Sequence, residues 1–196
     1  MRIFAWIVAG ALLGACERVD SSDVVTTGSA VTLGGTTATT TLTSGGTTLG
    51  STSEEAQALV DAHNLVRETA LPTPDPALPP MSWDTTLAQV AQDWADACDF
   101  NHSVSPYGEN LYVSTSPNPG TRAVEAWAEE ISDYDYESNT CTGVCGHYTQ
   151  IVWRESTRVG CGFADCSTLT GASFGSGRLW VCNYDPPGNW VGEWPY

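Results

Sequence analysis

Seven cysteines constrain this chain more than any other residue type. An odd count in an exported chain requires one cysteine to stand apart from the rest. Cys16 does so, closing an apolar N-terminal run. The others, Cys98, Cys141, Cys145, Cys161, Cys166 and Cys182, fall between positions 98 and 182. They admit many pairings, and spacing alone does not choose among them.

Residues 1–15 read as a signal peptide: one arginine precedes an apolar stretch too short to span a bilayer. It ends in Leu13-Gly14-Ala15-Cys16, which resembles a bacterial lipobox. The resemblance implies cleavage before Cys16 and a diacylglycerol on its thiol, anchoring the chain by buried methylenes. The alternative is an ordinary signal peptide with a coincidental cysteine. Glu17, rather than an aspartate, follows Cys16, and by analogy this favours the outer membrane. Residues 16–52 are rich in Thr, Ser and Gly and have no apolar periodicity. They read as a lipid-anchored linker spanning roughly 30–36 Å end to end. A Thr-rich strand region is the alternative, with few large apolar residues to drive it.

The formal net charge is −16, with only seven lysines and arginines. That argues against nucleic acid or an anionic membrane face as a partner, and suits a soluble, non-adhesive surface that could bind cations.

A globular domain is expected over 53–196. Thr52 and Glu55 resemble a capping box, and Ala56, Leu59, Val60, His63, Val66 and Ala70 follow at helical spacing. His63 inside that stripe reads as a core histidine. The proline-rich run 71–80 is a rigid surface connection. Asp84 is a good N-cap for a second helix burying Leu87, Val90, Ala91, Trp94 and Cys98. Residues 108–113 read as a turn into a short strand. A third helix is expected from about Thr121, its stripe set by Val124, Trp127, Ala128 and Ile131. Glu130 sits at the margin of that stripe, and Glu129 points further to solvent. Strands are expected at His147–Trp153, Val159–Ala164 and Arg178–Tyr184, with a glycine-rich loop over 167–177. The tail from Pro186 reads as packing around a sheet edge, its tryptophans covering core.

The stretch Cys145-Gly146-His147-Tyr148-Thr149-Gln150-Ile151-Val152-Trp153 sets a histidine among strand-forming residues. His102 follows a helix end, with Glu109 seven positions on. Two imidazoles and two carboxylates in one cleft suit a divalent cation such as Zn2+, or acid–base chemistry. Spacing alone does not bring them together, and there is no His-Glu-x-x-His helix.

The segments Ala62-His63-Asn64, Met81-Ser82-Trp83-Asp84, His102-Ser103, Gly108-Glu109-Asn110-Leu111, Cys145 to Arg154 and Val181-Cys182-Asn183-Tyr184-Asp185-Pro186 occur in this order. In them the chain resembles the CAP superfamily (cysteine-rich secretory, antigen 5, pathogenesis-related 1), most of all the plant pathogenesis-related class 1 proteins. The resemblance implies an α+β fold, an α-β-α sandwich with a three-stranded antiparallel sheet between helices, stapled by disulfides. It implies the pairs Cys98–Cys166, Cys141–Cys145 and Cys161–Cys182. Opposed positions on successive strands suit the last of these. The Cys141–Cys145 loop is tighter than its usual counterpart, and its expected role is to fix the approach to His147. The resemblance also implies a cleft of His102, Glu109, Glu130 and His147, with the histidines as zinc ligands. Glu109 and Glu130 are the candidates for catalytic carboxylates. The expected function is an extracytoplasmic module binding a lipid, a sterol or another small ligand. A zinc-dependent hydrolase or protease using the same cleft is the alternative, and a surface adhesin is a third reading. The protein is expected to be a monomer held to the cell envelope at Cys16.

Overall fold

A computed structural model describes residues 53–196. The leader, Cys16, the linker and the capping Thr52 lie outside the described residues.

Helix α1 (Ser53–Glu68) buries Ala56, Leu59, Val60, His63 and Arg67 along one stripe. After the proline-rich connection, β1 (Ser82–Trp83) leads into Asp84. The Asp84 side chain accepts from the backbone N–H of Thr86 at 2.8 Å and Leu87 at 3.1 Å, and so caps α2 (Thr85–Asp96). Then follow β2 (Gly108–Ser114), α3 (Gly120–Glu129) and a 3-10 turn (Glu130–Asp133). A small ribbon of β3 (Tyr134–Asp135) and β4 (Thr140–Cys141) precedes α4 (Gly146–Ile151). The last strands are β5 (Arg158–Cys166) and β6 (Gly177–Asp185).

The main sheet has the order β1-β5-β6-β2. Strands β5, β6 and β2 pair antiparallel, which is the expected three-stranded sheet. Two-residue β1 adds to β5 in parallel, an edge too short to read from the sequence. Strand β6 alternates its side chains between two cores. Leu179 and Val181 meet Ala91, Ala95 and Leu111 on the α2 side. Trp180, Cys182 and Tyr184 meet Leu59, Val124 and Trp127 on the α1–α3 side. The sheet therefore lies between helical layers, as expected of the sandwich. On the α2 face the approach is close enough to require glycine. A Cβ at Gly160 would stand 2.1 Å from the Ala88 nitrogen, and one at Gly162 would stand 2.5 Å from the Gln92 Cα.

The expected strand over His147–Trp153 is instead helix α4. Its residues favour strands, but tertiary contacts decide otherwise. Tyr148, Ile151 and Val152 fall at helical spacing and are all buried. Both helix ends are satisfied from distant segments. At the N-terminus Glu130 Oε2 accepts from the backbone N–H of His147 at 3.0 Å and Tyr148 at 3.2 Å. At the C-terminus Arg67 Nη1 donates to the carbonyls of Ile151 and Trp153, each at 2.8 Å. A carboxylate at the start and a guanidinium at the end also complement the helix dipole.

The tail also departs from expectation. Trp190 and Trp194 are about half exposed, at 57% and 48%, and do not cover core. The tail is held by its polar groups: Arg154 N–H donates to the Pro195 carbonyl at 2.6 Å, and Trp194 Nε1 to the Tyr136 carbonyl at 2.9 Å. Tyr196 stacks on Tyr136, centroids 4.8 Å apart. The cysteines pair as expected, Cys98 with Cys166, Cys141 with Cys145 and Cys161 with Cys182.

Candidate functional site

The four expected site residues form two histidine–carboxylate pairs. In the first, His102 follows α2 and Glu109 lies on β2, with Nδ1 2.9 Å from Oε1. The loop turns back on the carboxylate. Ser103 gives its backbone N–H to Oε1 at 2.9 Å and its hydroxyl to Oε2 at 2.5 Å. Glu109 is therefore almost enclosed, with 6% of its side chain exposed, while His102 stays 64% exposed. The hydrogen bond to Glu109 raises the His102 pKa above its ordinary value. Burial pushes the Glu109 carboxyl up, but the bonds from His102 and Ser103 outweigh it and the net shift is downward.

In the second pair, His147 lies in the first turn of α4 and Glu130 follows α3, with Nδ1 2.6 Å from Oε1. Glu130 thus does two jobs, capping α4 through Oε2 and orienting the imidazole through Oε1. The His147 ring stacks on Trp127 at 6.0 Å between centroids and 18° between planes. Trp127 is itself fixed, its Nε1 donating to the Leu111 carbonyl at 3.2 Å.

Each carboxylate can only accept, so each imidazole donates from Nδ1 and keeps a lone pair on Nε2. Among the described residues no group of three or more His, Cys, Asp or Glu side chains is placed to share one metal ion. The arrangement is two oriented imidazoles backed by carboxylates, not a four-ligand cage.

A buried network supports the second pair; the sequence marks His63 as a core histidine but not its link to the site. His63 Nδ1 lies 2.7 Å from the Leu59 carbonyl, which can only accept, so the proton sits there. His63 Nε2 then accepts from the Tyr184 hydroxyl at 2.9 Å. That oxygen accepts from Asn110 Nδ2, which also donates to the His147 carbonyl, both at 3.1 Å. Asn110 adjoins Glu109 on β2, so the strand carrying the first pair also holds the backbone of the second. Burial keeps His63 neutral, its pKa drawn down to about 4. The expected core histidine is thus the far end of a hydrogen-bonded chain that reaches the His147 backbone. Arg67 was missed too, although a charged residue four positions after His63 in an apolar stripe was a visible signal.

Away from these pairs, α1 and α3 leave an open, mostly apolar groove of about 530 Å³, lined by Ala62, Leu65, Val66, Thr69, Val124, Glu125, Ala128 and Glu129.

Residues 60–184 match the family described as CAP, the cysteine-rich secretory protein family. The chain belongs to the CAP family. It is 42% identical over 147 residues to pathogenesis-related protein 1 of Arabidopsis thaliana, spanning 73% of this chain and 83% of that one. Pathogenesis-related leaf protein 4 of Solanum lycopersicum is 49% identical over 124 residues, spanning 60% and 72%. Among solved structures, the CAP domain resembles venom allergen-like protein 4 of Schistosoma mansoni, with a TM-score of 0.60 and 28% identity over 74% of this chain and 95% of that one. NaASP2, solved with Zn2+, has a TM-score of 0.59 and 24% identity over 78% and 90%; at that identity the likeness concerns the fold alone. The three disulfides suit the oxidising compartment of a secretory family.

Proposed function

We propose that this CAP domain is an extracytoplasmic binding module that takes an apolar ligand, a single-chain lipid or a sterol, between α1 and α3. The observation that carries the reading is the groove of about 530 Å³. Its volume falls within the roughly 300–1,000 Å³ of small-molecule sites, and Leu65 stands 61% exposed at its edge. The test is equilibrium binding of a fluorescent sterol and a fluorescent fatty alcohol to the purified chain. Ala128→Trp, which fills the groove from its solvent side, should abolish binding and leave the melting temperature nearly unchanged. Undiminished binding to that variant would sink the reading.

The two histidine–carboxylate pairs fit a loosely held divalent cation. His102 and His147 would hold Zn2+ through Nε2, with Glu109 and Glu130 fixing the ring tautomers from behind. A bound ion would supply Lewis-acid charge to a ligand oxygen. Metal titration of the wild type, with loss of binding in His147→Ala, is the corresponding measurement.

Binding is favoured over hydrolysis by the fate of Ser103. Its hydroxyl donates to Glu109 Oε2 at 2.5 Å and faces no imidazole base, so it is not an activated nucleophile. Turnover of an ester or peptide panel that His147→Ala abolishes would reverse this preference. The proposal extends to a lipid anchor at Cys16. Mass analysis of the N-terminal peptide would detect the acyl groups, and Cys16→Ser would release the chain from membranes.

A further inference from the structure

We infer that the α1–α3 groove selects amphiphiles with a cationic head group, seated at the end where both helices finish. The inference rests on the groove being a ligand site, and it concerns which ligands that site admits.

The two helices run side by side in the same direction. A Cβ on Gly120, the first residue of α3, would lie 2.7 Å from Leu59 in the early part of α1. Later residues of both helices line the groove, as far as Thr69 beside α1 and Glu129 at the end of α3. Both helices therefore finish at the same end, where Thr69 and Ser132 hydroxyls bond some of the last carbonyls and α3 runs on into the 3-10 turn. Their aligned peptide dipoles still place partial negative charge there, which favours a cation over an anion.

The side chains act in the same direction. Glu125 and Glu129 line the α3 wall. On α1, exposed Asp61 and Glu68 lie four positions before and three after Leu65, on the same helical face. The cation on this rim is Arg122, and it is engaged by both α3 carboxylates, at 3.1 Å from Glu125 and 3.3 Å from Glu129. Arg67 near the end of α1 faces the other way, its guanidinium bound to the carbonyls of Pro79, Ile151, Trp153 and Arg154. Four carboxylates against one shared arginine leave a net acidic rim. An apolar floor with such a rim complements an alkyl chain ending in an ammonium. A fatty-acid carboxylate in the same pose would face like charge and two negative helix ends.

The experiment compares dodecyltrimethylammonium, dodecanol and dodecanoate, each below its micelle concentration, on the full chain by calorimetry at low ionic strength. All three share the alkyl chain, so the floor is held constant. The ammonium should bind at least about tenfold more tightly than the carboxylate, with the alcohol between them. Added salt should narrow the gap, because the rim is exposed. The double substitution Glu125→Gln, Glu129→Gln leaves Asp61 and Glu68 against the freed Arg122, so it should cut the preference for ammonium over carboxylate several-fold and leave dodecanol unchanged. Ala128→Trp should abolish all three. Equal or tighter binding of dodecanoate to the wild type, or a preference of unaltered size in the double variant, would overturn the charge selection and leave the groove reading standing. Failure of all three to bind would remove both.

Discussion

His63 is the residue at which burial has its clearest thermodynamic consequence. It is fully buried, its Nδ1–H goes to the Leu59 carbonyl, and its Nε2 is filled by the Tyr184 hydroxyl. Burial opposes a charge on the ring, and nearby Arg67 adds to the opposition. The folded pKa of about 4 lies below the ordinary value of 6.5, so in that interval the unfolded chain binds more protons. Stability is therefore expected to fall as pH drops from 6.5 towards 4, by on the order of 3 kcal/mol in total from this group. Urea unfolding across that range checks it. His63→Leu should start less stable by about 1–3 kcal/mol, because Tyr184 loses its acceptor, and its acid slope should be shallower. An identical slope in both proteins would show that His63 is not the group being titrated.

At the scale of elements, α4 shows why part of this chain was legible and part was not. Helices α1, α2 and α3 and strands β5 and β6 announce themselves through periodicity and, for α2, the Asp84 cap. Helix α4 does not, since its six residues are too few to stand alone and its amino acids favour strands. Glu130 and Arg67 complete its ends from 17 and 84 residues away in sequence. Glu130→Ala should therefore cost about 1–3 kcal/mol by leaving buried N–H groups unpaired, whereas Glu130→Gln, which keeps an acceptor oxygen, should cost less. Thermal melts of the two variants, with exchange of the His147 and Tyr148 amides, separate the cases. The site was legible to the same degree. The resemblance named His102, Glu109, Glu130 and His147, but the pairing geometry and the network through Asn110, Tyr184 and His63 depend on β2 meeting β6 and α4, which no local pattern encodes. A similar close approach fixes α2 on the sheet. Gly160→Ala would place a methyl against the Ala88 backbone, which cannot yield as a side chain does. That substitution should cost at least about 3 kcal/mol, read as a lowered denaturant midpoint.

For the whole molecule, the three disulfides differ in what they join. Cys98–Cys166 closes 68 residues and ties the end of α2 to the end of β5, across one face of the sandwich. Cys161–Cys182 joins directly opposed residues of β5 and β6 over a separation of 21. Cys141–Cys145 closes only 4 residues, on the approach to α4 and His147. If the main effect of each is to restrict the unfolded chain, the loss on removal should follow loop length: about 4 kcal/mol for the pair at 98 and 166, about 3 for that at 161 and 182, and about 2 for that at 141 and 145. Paired Cys→Ala variants unfolded in urea would give this ranking. The shortest loop carries a second expectation. Because it leads directly into α4, its removal should loosen the backbone at Gly146 and His147. The cation affinity proposed for His147 should then weaken by more than the modest stability loss would suggest. A variant at 98 and 166 should show the reverse, a large loss of stability with cation affinity nearly intact in the fraction that remains folded. If the two variants changed stability and affinity in the same proportion, the short disulfide would have no local role at the cleft.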